Sequence, residues 1–127
     1  MSHRSRLTAV LVDVPAAEHE KAASFWSGAL GREGRRGEKF PEYHVLGQVT
    51  PGIEFMIQAT GDATSRVHLD IETDDIDAEV ARLKVLGAEE VERLHGWVIM
   101  RDPAGTVFCV VGIQIKEAFE QYAAVWD

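Results

Sequence analysis

Asp13, Glu54, Gln58, His68, Asp70 and Cys109 are the side chains of this sequence whose types and spacing allow them to share chemistry. His68 and Asp70 lie two apart in the alternating stretch RVHLDIET, so both leave a strand on one face. An imidazole that titrates near neutrality can move a proton or hold a polar ligand, and a nearby carboxylate or amide orients it. Cys109 adds a thiol. It acts as a nucleophile or metal ligand where a cation or base favours the thiolate, and otherwise as a small buried hydrophobe. Gln58 and Glu54 alternate with Ile53, Phe55 and Ile57, which puts amide and carboxylate on the polar side of a half-apolar strand. Trp97 follows a glycine at the start of another strand, where it either stacks on a flat ligand at a cavity mouth or packs in the core.

These groups need strands to hold them. Leu7 to Val14 is a mostly apolar run ending at Pro15 and reads as a buried strand. Ala22, Phe25, Trp26, Ala29 and Leu30 recur at helical spacing over residues 16–30 and read as a core-facing stripe, with Gly31 as the helix stop. An edge strand with a loop follows over residues 32–39, then strands over 42–48 and 52–59 with Pro51-Gly52 as their turn. The order then recurs. A strand over residues 66–73 leads to an Asp74-Asp75 helix start. Ile76, Val80, Leu83 and Leu86 form an apolar face, and Gly87 follows a leucine just as Gly31 does. Three strands come next, near residues 89–94, 97–101 and 106–111. A tail helix over residues 115–126 carries Ile115, Phe119, Tyr122 and Trp126 on one face and reads as a packing element.

Alternation assigns the strand faces. Val67, Leu69 and Ile71 are expected against the second helix, which leaves Arg66, His68, Asp70 and Glu72 opposite. Phe108 and Val110 likewise face the helix, with Cys109 on the other side. Tyr43 and His44 lie on opposite faces, so only one of them lines a pocket. His68 is expected to bond a neighbour such as Asp70 or Gln58, whereas His3, His19 and His95 read as surface or loop residues.

The chain of 127 residues carries 13 basic and 21 acidic side chains, a net charge of −8. That balance argues against a nucleic-acid or anionic-membrane partner, both of which need clustered positive charge. One cysteine rules out an intrachain disulfide, and no apolar run approaches the roughly 20 residues of a bilayer span. A cytoplasmic protein is expected. No glycine-rich phosphate loop, nucleophile elbow or paired-cysteine zinc spacing occurs.

The stretches RVHLDIETDDIDAEVARLKVLGAEEV and GWVIMRDPAGTVFCVV resemble the second module of the vicinal oxygen chelate superfamily, which includes glyoxalases, bleomycin-resistance proteins and extradiol dioxygenases. LTAVLVDVP through FWSGALG resembles the first module. The resemblance implies a mixed α+β (α/β) fold. Two βαβββ modules, near residues 7–60 and 65–112, form a U-shaped, mostly antiparallel sheet around a cavity in one domain, followed by the tail helix.

In metal-dependent members four strands each supply one His, Glu or Gln ligand to a divalent ion. By this resemblance His68 takes the second-module histidine position and Gln58 the fourth-strand position of the first module. Ala9, or Val12 if the loop length differs, takes the first-strand position, and Cys109 stands where glutamate is common. An extradiol dioxygenase needs two histidines and a carboxylate on iron, and of the ligand positions only that of His68 holds a histidine. No bound metal is therefore expected. If a divalent ion such as zinc, manganese or iron were held, His68, Cys109 and Glu54 would hold it.

The expected function is small-molecule binding at a degenerate metal site, as in bleomycin-resistance proteins that sequester an antibiotic or other natural product. The ligand cavity would be lined by Glu54, Gln58, His68, Asp70, Trp97 and Cys109. The alternative is an enzyme. It would be a metal-dependent lyase, isomerase or dioxygenase of the glyoxalase type, or a metal-free catalyst with His68 as acid–base. The resemblance also implies a homodimer.

Overall fold

The computed structural model describes residues 2–127. The elements run in βαβββ order twice. First come β1 (His3–Pro15), α1 (His19–Leu30), β2 (Arg35–Arg36), β3 (Tyr43–Thr50) and β4 (Ile53–Thr60). Then come β5 (Arg66–Thr73), α2 (Ile76–Val85), β6 (Glu89–Leu94), β7 (Trp97–Arg101) and β8 (Val107–Val111), followed by α3 (Lys116–Tyr122) and β9 (Ala124–Trp126). The class is mixed α+β. Strand pairing is mostly antiparallel, with β1/β4 and β5/β8 parallel.

The chain divides into two compact units, one of residues 9–68 and one of the residues up to Thr8 together with 69–127. In the first, the strands neighbour one another in the order β2-β3-β4-β1, and β1 lies beside the opening residues of β5. Val12 and Val14 of β1, Leu46 of β3 and Ile57 of β4 form its core, against which Ala22 and Trp26 of α1 pack. Trp26 also meets the Phe55 ring, with centroids 5.4 Å apart. A single 3-10 turn at Ala16–Glu18 leads into α1, and Gly31 closes it at φ 66° with its N–H on the Ser27 carbonyl. Only a residue without a Cβ takes that left-handed conformation cheaply. Phe25 departs from the expected stripe. It is 64% exposed, because α1 turns the Ala22–Trp26 line toward the sheet and leaves Phe25 edge-on to Trp26.

In the second unit the order is β5-β8-β7-β6, with the N-terminal part of β1 beside β5 and paired to β9. Its core is Val80 and Leu83 of α2 with Val98, Met100, Phe108 and Val110 of the strands. The Asp75 carboxylate caps α2 by accepting the Ala78 N–H at 3.0 Å, as the Asp-Asp pair predicts.

Two boundaries differ from expectation. The first strand begins at His3, four residues earlier than the apolar run suggests, because its polar N-terminal half has buried partners. The tail helix ends at Tyr122. Ala123 turns extended, and Ala124–Trp126 pair with Ser5, Arg4 and His3. An amphipathic pattern cannot foresee a competing strand edge, which supplies the backbone bonds that a longer helix would have made.

Candidate functional site

Within the unit of residues 9–68, the parallel register of β1 and β4 sets Asp13 opposite Gln58 and Ala9 opposite Glu54. The antiparallel register of β3 sets Tyr43 against the same Gln58, whose amide donates to the Tyr43 hydroxyl at 3.1 Å. His68 lies on β5. Its Nδ1 is 2.6 Å from Asp13 Oδ2, and both side chains are buried, with Asp13 only 2% exposed. A carboxylate only accepts, so Nδ1 carries the proton, and a neutral His68 ring keeps its lone pair on Nε2. The short, charge-assisted bond fixes the ring plane as well as the tautomer. Arg66 stands 3.8 Å from the same Asp13 oxygen and also pairs with Asp62 at 3.1 Å. The other Asp13 oxygen is buried and accepts no hydrogen bond among the described residues.

His68 thus bonds Asp13, a partner the sequence did not suggest. A residue 55 positions away is invisible to strand alternation alone. Glu54 lies four residues from Gln58 on β4, roughly 13 Å along the strand at the usual rise. Tyr43 shares the Gln58 side, and His44 faces the other way and helps line a second hollow of about 410 Å³ with Ser24 and Arg36.

Within the other unit, Asp70 of β5 is the direct register partner of Cys109 of β8, which in turn opposes Ile99 of β7. A carboxylate and a thiol therefore stand side by side, both half-buried. Trp97 opens β7 opposite Val111 and is 41% exposed, so it is not a core residue.

Ile71 of β5 packs on the α2 core as expected, but the exposures along the strand differ from a simple buried apolar face. Val67 and Leu69 are 51% and 37% exposed, while His68 and Glu72 are 7% and 0% exposed. Glu72 is tolerated inside because it accepts the Gln114 and Ile115 backbone N–H groups at 2.9 and 3.1 Å and lies 3.4 Å from the buried Arg6 guanidinium. His3 and His19 are also buried. His3 bonds Glu79 at 2.8 Å, and His19 donates to the Ile57 carbonyl at 3.2 Å. Sequence reading missed both because a lone polar residue at a strand or helix start carries no sign of its distant partner.

A glyoxalase-like domain model matches residues 9–111, most of the chain. The chain belongs to the glyoxalase-like domain family. It lies within the vicinal oxygen chelate superfamily. No curated protein sequence matches it. Among solved structures, this glyoxalase-like chain is similar to methylmalonyl-CoA epimerase from Mycobacterium tuberculosis, at 17% identity and TM-score 0.57 over 88% of this chain and 90% of that one. A hypothetical protein from Bacillus halodurans C-125 gives 10% identity and TM-score 0.61, over 87% and 96% of the two chains. A structure described as an NAD-dependent benzaldehyde dehydrogenase from Legionella pneumophila gives 10% identity and TM-score 0.58, over 83% and 99%. At such identities the likeness establishes the fold alone, and the three descriptions name no common chemistry.

The four-ligand metal set implied by the superfamily does not fit the residues present. Ala9, at the first-strand position, is a buried methyl with no donor atom, and Gln58 offers only a neutral amide whose nitrogen is turned to Tyr43. The two ligand positions of the first half, Ala9 and Gln58, are therefore without an anionic or imidazole ligand, and no chemical step is routed through a metal here.

Proposed function

We propose that this glyoxalase-like domain binds a small molecule, in the manner of the bleomycin-resistance proteins that sequester an antibiotic or other natural product. The observation that carries the reading is the buried 2.6 Å bond from His68 Nδ1 to Asp13. It presets one imidazole face toward a ligand, and pre-organised polar groups are what a binding site needs to fix orientation. Gln58 and Tyr43, already bonded to each other, add an amide and a phenol beside Asp13. Glu54, farther along β4, completes the proposed contacts within this unit. The protein acts as a cytoplasmic homodimer in this reading, without nucleic-acid or membrane partners. No described helix is long and apolar enough to cross a membrane.

The same Asp–His pair favours a second reading, an enzyme in which His68 is the acid–base, since a carboxylate-oriented imidazole is also a poised general base. The metal-dependent lyase, isomerase or dioxygenase form of that reading has the donor set against it.

Elemental analysis of protein purified without chelator or metal-affinity tag, paired with calorimetric titration of metal-free bleomycin, separates these. The binding reading expects no stoichiometric ion. It also expects saturable uptake weakened at least tenfold, or about 1.4 kcal/mol, in His68→Ala and in Asp13→Asn. About one divalent ion per chain, lost in His68→Ala, would overturn it in favour of chelation chemistry.

A further inference from the structure

We propose a second ligand site, in the unit that contains α2, for a neutral molecule with a flat aromatic or hydrocarbon body. An open-mouthed cavity of about 700 Å³ lies where Leu69 and Ile71 of β5 and Phe108 of β8 meet Leu83 of α2, with Tyr122 and Trp126 of the C-terminal segment as another wall. That volume falls within the usual range for small-molecule pockets. The cavity is on the helix-bearing side of β5, the side opposite His68 and Asp70, and it shares no residue with the site proposed above.

Two properties define the occupant. The first is the wall. Trp126 is held from two directions, its indole N–H donating to Ser5 Oγ at 2.9 Å while the Arg82 guanidinium carbon sits 3.9 Å from its ring centroid. An indole fixed in this way is a rigid platform that loses little entropy when a flat ligand stacks on it. The second is charge. Arg6, Glu79, Arg82 and Asp102 are the ionised residues of the lining, and each is already engaged. Arg6 lies 3.4 Å from Glu72, and Arg82 grips Glu79 with two bonds of 2.9 Å. Asp102 accepts the Ala104 and Thr106 backbone N–H groups at 2.8 Å. A charged ligand would have to break one of these pairs, whereas a neutral apolar one displaces only water from Leu69, Phe108 and the exposed rim of Leu86.

The test is a fluorescence titration with Nile red, a neutral dye that brightens in apolar surroundings, on the full chain and on Leu69→Arg, Leu86→Arg and Val85→Arg. Leu86 and Val85 are 65% and 88% exposed, so their arginine variants fold without burying a charge, and Val85 is outside the lining. The expected result is one saturable dye per chain, at least tenfold weaker in Leu69→Arg and Leu86→Arg, unchanged in Val85→Arg and insensitive to salt. Equal affinity in wild type and Leu86→Arg, or no saturable binding, would overturn the proposal. So would a two-chain species in sedimentation that Leu86→Arg splits, since the groove would then be filled by a second copy. None of these outcomes depends on His68.

Discussion

Glu79 is a carboxylate with no solvent exposure in the first half of an α-helix, and its environment explains why it is there. Burial pushes its pKa up, but the hydrogen bonds from Arg82, then His3 and Ser5, outweigh that and hold it below the ordinary carboxylate value. Because the folded value is lower than the unfolded one, the site stabilises the fold above the ordinary carboxylate pKa. That stabilisation is lost as pH falls through the depressed folded value. Glu79→Ala removes the partner of three hydrogen-bonding side chains, Arg82, His3 and Ser5, and it should cost about 3 kcal/mol at neutral pH. That is near the low end for broken buried pairs, because Arg82 is one-quarter exposed. Urea denaturation of both proteins at pH 7 and in steps toward pH 3 checks this. The gap between them should narrow on acidification, and a constant gap would refute the assignment. Asp13 differs in kind. Its role is to aim His68, so Asp13→Asn is expected to show mainly in ligand affinity, as set out for the proposed site.

At the scale of elements, the helices of the two βαβββ halves start differently. Helix α2 has a side-chain cap, Asp75 on the Ala78 N–H, preceded by Thr73, whose hydroxyl receives the Asp75 N–H at 3.1 Å. Helix α1 begins after a 3-10 turn and has no side-chain cap, and its packing through Trp26 and Ala22 has to compensate. Asp75→Ala should therefore lower stability by about 1 kcal/mol, the usual value of a lost N-cap, read as a fall in the urea midpoint with unchanged slope. An unchanged midpoint would mean that the Thr73 contacts hold the helix start by themselves. The tail shows the same competition. Seven residues remain helical, and the next few pair with β1 because Trp126 finds Ser5 and Arg82 there.

For the whole molecule, the described residues form an apolar cluster in each unit, one centred on Ile57 and one on Val98 with Met100. Each lies between its own helix and its own strands, which is what a duplicated βαβββ order requires. The single thiol, Cys109, has no intrachain disulfide to make, so the thermal midpoint should be the same with and without reductant. A drop on reduction would reveal a bond between chains. The acidic balance of 21 against 13 acts at this scale too, favouring solubility and repelling polyanions without choosing a ligand.

Element types and order were legible from residues alone, because period-two and period-3.6 patterns, Gly31, Gly87 and Asp75 are local signals read within a few residues. The resemblance of the His68 and Cys109 strands to a known family rested on the same local text. The pairings that make the site were not legible. Asp13 with His68, His3 with Glu79, and Glu72 with the Gln114 and Ile115 amides join residues 42 to 76 positions apart. Buried polar groups are decided by which distant donor meets which acceptor once the strands are in register, and periodicity records only the face from which a side chain leaves. The sequence by itself therefore determined the elements and their order, since these depend on residue type and spacing. Tertiary structure alone decided which histidines are buried, which carboxylate aims His68, and that the C-terminus ends as a strand, because those outcomes depend on contacts that exist only after folding.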